Sequence, residues 1–340
     1  MHGPGGMTTA GDGRVPVAGP ATIGPATIGS GSNGLGFRHE AAVYRGDQGF
    51  LDVTVDYVRD GLNAGQPVLV AVIPPKIDLL RAALGADADK VRFVDMAQAG
   101  RNPALIIPMW REVVEDGGGV PVRGIGEPVW FGRRPAELAE ALLHEALLNI
   151  AFADGTDLLL RCPYDAQALG DAMVGHASLR HPVVVDRGGD GRGVGYHGVT
   201  EAAAEFTVPL PDAEASAPEA FEFDHVPTVR RLRAHVGERA RTLGIDAERT
   251  ADLMLAMHEI AVNSLRHGGG RGTLRLWADD DALVCEISDR GHIDQPLVGR
   301  VRPRPDQRSG RGVWLANQLC DLVQIRSSTA GTTVRMHVAR

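Results

Sequence analysis

From Phe37 to about Phe206 the chain alternates between short apolar runs and longer stretches whose apolar residues recur at helical spacing. Residues 68–73, 91–94, 120–125, 157–161 and 183–185 are runs rich in Val, Ile and Leu, and they predict strands. Residues 48–63, 77–84, 104–115, 136–153 and 166–177 carry the wider period and predict helices. Such alternation implies a mostly parallel sheet covered by helices.

After this region the pattern changes. Residues 186–224 are first glycine-rich and then rich in Pro and Ala, which gives a mobile and then a stiffer connector and places a domain boundary there. Phe221 opens a second unit, with a helix from about 227 to 243. A further helix, capped by Asp246, runs to His267 and is closed by Gly268-Gly269-Gly270. Leu253, Met257, Ile260 and Leu265 form its apolar face. Glu259 and Asn263 are four apart on it, so a carboxylate and a carboxamide point the same way. Residues 273–277 and 283–288 alternate as half-buried strands around a turn at Asp279-Asp280-Asp281. A short helix over 313–319 and a strand from Gly331 complete the chain.

At 340 residues, 44% of them hydrophobic, the chain is long enough for two domains with real cores. A formal net charge of -8 and a pI near 5.8 argue against a nucleic-acid-binding surface and leave a basic protein partner open. Cys162, Cys285 and Cys320 are an odd number, far apart and without C-x-x-C spacing, so neither a disulfide nor a zinc site is expected. There is no apolar run of about 18 residues and no signal-peptide order at the N-terminus, which predicts a cytoplasmic protein without membrane contact. Residues 1–36 are Gly, Pro, Ala, Thr and Ser with a tandem repeat at 20–24 and 25–29, and they predict a disordered tail.

No G-x-x-x-x-G-K-[ST] run follows a predicted strand in the first half, so that half lacks a P-loop phosphate cradle and is expected to sense, not to hydrolyse. In open α/β sheets ligands sit at the carboxyl ends of strands, which would bring His39, Glu127, Tyr164 and Asp165 toward one crevice, with His39 the first candidate. Phe37-Arg38-His39 leading through Tyr44, Gly65-Gln66-Pro67, Gly126-Glu127-Pro128, Cys162-Pro163-Tyr164-Asp165 and His181-Pro182 together carry a resemblance. It is to the MEDS sensory domain of methanogen, methylotroph and DcmR-type sensors, related to the KaiC and RecA type of core without its Walker A loop.

In the second half four features occur in order: the Glu259–Asn263 helix, Ile287-Ser288-Asp289-Arg290-Gly291, Ser309-Gly310-Arg311-Gly312, and Gly331-Thr332-Thr333. The series resembles the Bergerat ATP-binding fold, an α/β two-layer sandwich shared by histidine kinases and anti-sigma-factor serine kinases, and is closest to the anti-sigma regulatory group. The layout implied is a tail at 1–36, a MEDS-like sensory domain at 37–206, a linker at 207–220 and a histidine-kinase-like ATPase domain at 221–340.

The resemblance implies that Asp289 accepts a hydrogen bond from the adenine amino group, that Gly291 gives the purine backbone access, and that Thr332 supports the Asp289 contact. Residues 294–309 would form the nucleotide lid, and Gly310 and Gly312 would present backbone N–H groups to the phosphates at a helix N-terminus. Asn263 would hold Mg²⁺ and Glu259 would orient or deprotonate the attacking hydroxyl. The family pattern Asp-x-Gly-x-Gly has Ile293 at its last position here.

The function implied is an anti-sigma regulatory protein that binds ATP and Mg²⁺, phosphorylates Ser or Thr of an antagonist protein and sequesters a sigma factor, under control of a small-molecule signal at the sensory domain. A homodimer is a form this group adopts. A two-component-type histidine kinase and a non-catalytic ATP-gated adaptor are the alternatives.

Overall fold

The computed structural model describes residues 36–152, 156–186, 189–197, 204–213, 218–304 and 310–340, together with Met1. The tail and its tandem repeat, and Ser309, lie outside the described residues. From Gly34 to Arg340 the chain forms one compact unit.

Seven strands make the first sheet: β1 (Arg38–Tyr44), β2 (Val68–Val72), β3 (Arg92–Asp95), β4 (Val122–Gly126), β5 (Leu158–Asp165), β6 (Val183–Asp186) and β7 (Gly189–Arg192), in the order β3-β2-β4-β5-β1-β6-β7. All neighbours pair in parallel except β6 and β7. Helices α1 (Gly46–Asn63) and α2 (Pro74–Leu84) cover one face, packing Phe50, Val58 and Leu80 on Val68, Val70 and Val72. Helices α4 (Ile106–Asp116), α5 (Pro135–Ala151) and α7 (Asp171–Arg180) cover the other with Trp110, Leu147 and Ala177, against Leu69, Ala71 and Leu160. Burial on both faces is why β2 reads as an unbroken apolar run. Trp110 lies so close to β4 that a Cβ at Gly124 would sit 2.6 Å from its ring, which accounts for glycine there.

Three features differ from the sequence reading. Strand β5 continues through Cys162-Pro163-Tyr164, past the end predicted for it at residue 161. Its pairing with β4 ends at Arg161, so Pro163 has a single neighbour, β1, and removes little from the ladder. The helix expected over 166–177 is two, α6 (Ala166–Leu169) and α7, split at Gly170 with φ +78°. β7 forms a hairpin with β6 inside the stretch read as connector. Single turns at Met96–Ala99 (α3) and Pro103–Leu105 precede α4.

The second sheet is antiparallel: β8 (Glu219–Phe223), β9 (Gly272–Ala278), β10 (Ala282–Asp289), β11 (Leu322–Ser328) and β12 (Gly331–Ala339), in the order β11-β12-β10-β9-β8. One layer of helices, α8 (Val226–Thr242), α9 (Ala247–His267) and α10 (Arg311–Leu319), packs Val236, Leu253, Met257, Ile260 and Ala316 on Leu274, Leu276, Ile287 and Met336. Strand β11 had no counterpart in the sequence reading, although its first four residues are buried. One apolar cluster runs from Trp110 and Leu147 in the first half to Leu253 and Met336 in the second. Among the described residues no helix is long and apolar enough to cross a membrane.

Candidate functional site

Helix α9 begins where the Asp246 carboxylate accepts from the Arg249 backbone N–H at 2.8 Å. Its last turn brings Ser264 beneath the end of β10, where the Ser264 hydroxyl donates to Asp289 Oδ2 at 2.5 Å. The Gly291 N–H donates to Oδ1 at 2.7 Å, so two donors hold a half-buried carboxylate in one orientation. A Cβ at Gly268 would lie 2.3 Å from Asp289 Cγ, and one at Gly291 would lie 2.7 Å from the His267 carbonyl. Side chains are thus excluded from both sides of Asp289.

Thr332 faces Asp289 across the β10–β12 ladder, but its hydroxyl serves the neighbouring backbone. The Ile293 N–H donates to Ser327 Oγ at 2.7 Å, Ser327 and Thr332 Oγ1 are 2.8 Å apart, and Thr332 donates to the Gly291 carbonyl at 2.9 Å. This relay pins the segment after Asp289 to β11 and β12. Ile293, which stands where the family pattern has glycine, packs its side chain against the core. Ser264 and Ser327 were not singled out from sequence, because their roles depend on a helix end meeting a strand end.

Glu259 and Asn263 lie half-buried on α9, facing the start of α10. Gly310 caps α10 with φ +84°, and a Cβ at Gly312 would come within 2.8 Å of Asn263 Nδ2 and 3.3 Å of Glu259 Oε2. The first-turn N–H groups of α10, left without helical partners, therefore adjoin the carboxamide and carboxylate that the sequence paired with them. These residues fit a nucleotide: a held carboxylate at one end, backbone bare of Cβ atoms around it, and a helix N-terminus with an amide oxygen for Mg²⁺ at the other. A separate concavity of about 990 Å³, lined by Arg275, Glu286 and Arg335, opens on the sheet face turned away from α8 and α9; it reaches Asp289 and Thr332 but neither Glu259 nor Asn263.

The segment at Gly299 and Arg300, together with α10, touches the first half. Asn317 on α10 donates to the Gly299 carbonyl at 3.0 Å and is itself held by Asn102, whose Nδ2 reaches its carbonyl at 3.0 Å and its Oδ1 at 3.1 Å. Arg300 donates to Glu140 Oε2 on α5 at 3.1 Å, and Arg326 on β11 lies 2.7 Å from Oε1 of the same carboxylate.

The four sensory candidates do not share a crevice. His39 lies on the α5 face of β1, where its ring is 4.0 Å from that of His181, and Tyr164 meets His181 edge-on at 5.6 Å. Glu145 and Cys162, not singled out as candidates, complete this group. Glu127 sits beyond β4 toward the opposite face, accepting from Tyr44 Oη at 3.3 Å and pairing with Lys76. Burial pushes the Glu127 carboxyl up to about 7 despite Lys76. Asp165 has a local role, accepting from the Gln167 and Ala168 backbone at 3.0 and 3.4 Å as the cap of α6. The strand period explains the split: His39 and Tyr44 are five apart on β1 and so face opposite sides of the sheet.

Comparison with known proteins defines the class first. Residues 38–182 match the MEthanogen/methylotroph, DcmR Sensory domain (MEDS), and residues 221–338 match the histidine kinase-like ATPase domain. The chain therefore carries a MEDS sensory domain followed by a kinase-like ATP-binding domain. Among solved structures, the RsbU and RsbW domains of Rv1364c from Mycobacterium tuberculosis are similar at 18% identity over 36% of this chain and 33% of that one, with a TM-score of 0.27. This chain thus spans about a third of that structure's length. No curated protein matches.

Proposed function

We propose that the protein is an ATP- and Mg²⁺-dependent regulatory kinase of the anti-sigma type, which phosphorylates Ser or Thr on an antagonist protein and sequesters a sigma factor. The observation that carries the reading is the meeting of Glu259 and Asn263 with the Gly310–Gly312 start of α10, one helical layer from the held Asp289. Phosphoryl transfer is achieved mainly by positioning and charge neutralisation, which this set supplies. Asn263 holds Mg²⁺, which when bound neutralises phosphate charge. The α10 N-terminus receives the phosphates, Asp289 reads adenine, and Glu259 orients the incoming hydroxyl and takes its proton.

The layout proposed is a sensory domain at 37–206, a linker at 207–220 and a catalytic domain at 221–340; the family matches at 38–182 and 221–338 support the two domains but do not set these bounds. Regulation passes through the direct seam as well as the connector, since α5 presents Glu140 to Arg300 at the lid base and Glu145 to the sensory cluster. A signal molecule acts only by favouring one of two arrangements of that seam.

The test is radiolabelled ATP with the full chain and a candidate antagonist. Wild type should transfer label to Ser or Thr, whereas Glu259→Gln should keep ATP and lose about 10²- to 10⁴-fold in rate. Acid-labile label on the chain itself would mark a histidine kinase, nucleotide binding without transfer would mark an adaptor, and full transfer by Glu259→Gln would remove the role of Glu259.

A further inference from the structure

His39 of β1, Cys162 of β5, Glu145 of α5 and His181 at the end of α7 converge, with their ligand atoms all within 4.8 Å of one another. Each of the four residues is no more than 1% exposed. Glu145 Oε2 lies 3.0 Å from the Nε2 of both histidines, and Cys162 Sγ lies 3.4 Å from Nε2 of His39. A tetrahedral zinc-class ion with bonds of about 2.0 Å to N or O and 2.3 Å to S separates its ligand atoms by about 3.3–3.5 Å. The three closest contacts, at 3.0, 3.0 and 3.4 Å, lie near these separations, and the whole set falls within 4.8 Å.

The surroundings decide which nitrogen faces inward. His181 Nδ1 lies 2.8 Å from the Ala177 carbonyl, which only accepts, so that nitrogen donates. His39 Nδ1 lies 3.1 Å from Asn149 Oδ1, and the Asn149 amide is oriented by its own donation to the Arg180 carbonyl at 2.8 Å. Both rings therefore spend a proton on Nδ1 and turn Nε2 toward a carboxylate. Two imidazole lone pairs and a carboxylate facing one another in a dry interior repel unless a cation, whether a shared proton or a metal ion, sits among them. Glu145 Oε1 and the Tyr164 hydroxyl are buried without a hydrogen-bond partner. Histidine Nδ1–H groups tied to backbone and amide oxygens are also how protein metal sites orient their ligands.

We infer that His39, Glu145, Cys162 and His181 form a binding site for one divalent transition-metal ion of the zinc type, built into the sensory half. Two imidazoles, a thiolate and a carboxylate suit zinc or iron(II) and not Mg²⁺ or Ca²⁺, which take oxygen ligands. The cysteine spacing along the chain hides the site because its ligands come from four separate elements.

The experiment uses the nucleotide-free full chain, refolded with Zn²⁺ or Co²⁺ and freed of loose metal. The expected result is about one ion per chain, with the Co²⁺ form showing tetrahedral visible bands and a sulfur-to-cobalt charge-transfer band. Cys162→Ser should abolish the charge-transfer band. Asn149→Leu, which removes the partner of His39 along with the donation to the Arg180 carbonyl and leaves all four ligands in place, should keep the band at saturation and lower metal affinity about 10- to 100-fold. Circular dichroism and thermal unfolding establish that each variant is folded. If the folded wild type takes up no metal, the cluster is a buried ion-pair network and the assignment falls. A Co²⁺ spectrum unchanged in folded Cys162→Ser would place the metal elsewhere and overturn it equally.

Discussion

Glu140 joins the two halves of the molecule through Arg300: the pair is 3.1 Å apart, the Glu140 side chain 1% and the Arg300 side chain 7% exposed. Arg326 lies against the other oxygen of the same carboxylate at 2.7 Å. Glu140→Gln should leave two buried guanidinium groups without their counter-charge, a loss of about 3–5 kcal/mol in unfolding free energy. Denaturant unfolding measures it. Replacing Glu140, Arg300 and Arg326 together by Leu should recover much of that stability while uncoupling nucleotide affinity from the sensory half, which a structural brace alone would not do.

Asp289→Asn should weaken ATP by about 1.5–3 kcal/mol, one to two decades in affinity, and reduce the preference over GTP. Ser264→Ala removes one of the two donors that orient the carboxylate and should cost about 1 kcal/mol. Calorimetric titration distinguishes the two. Unchanged ATP binding in Asp289→Asn would take the adenine role away from it.

Gly312→Ala places a methyl group where Asn263 Nδ2 is 2.8 Å away, so α10 or the carboxamide must shift. The strain expected for overpacking at such a contact is about 1–3 kcal/mol. Because the site of strain is also the proposed phosphate end of the nucleotide site, Mg²⁺-ATP affinity should fall while ATP-free stability changes less. Comparable nucleotide titrations for wild type and variant would separate α10 from the phosphate site.

The buried Glu127 carboxyl, raised from 4.5 to about 7, predicts a pH dependence with a definite sign. Below the unfolded value the group is protonated in both states. Above about 7 it is ionised in both, and the folded state bears the desolvated charge. Stability should therefore decline as pH rises from about 4.5 to about 7, by about 3 kcal/mol from this group. Glu127→Gln should lack that decline, so the two melting curves, compared near pH 5 and near pH 8, should diverge. Parallel pH profiles would show that the carboxyl titrates normally.

The alternation of apolar runs and amphipathic stretches by itself determined that a parallel, helix-covered sheet comes first, and the change of composition after it that a second unit follows. Local periodicity and glycine positions encode elements directly, and the spacing of Glu259 and Asn263 on one helix needs no partner to be read. The same is true of the Gly310 turn that opens α10, because both are properties of neighbouring residues.

Tertiary structure decided the rest. Strand β11 and the continuation of β5 through Pro163 depend on which neighbours pair with them, and chain composition carries no record of that. His39, Glu127, Tyr164 and Asp165 looked equivalent as polar residues at strand ends, yet His39 and Tyr164 meet at His181 on one face of the sheet, whereas Glu127, just past β4, meets Tyr44 and Lys76 on the other side. Residues 39, 145, 162 and 181 become one cluster only when β1 pairs with β5 and α5 and α7 pack on their shared face. The seam between Glu140 and Arg300 spans 160 positions of sequence, and only the shared core brings them together.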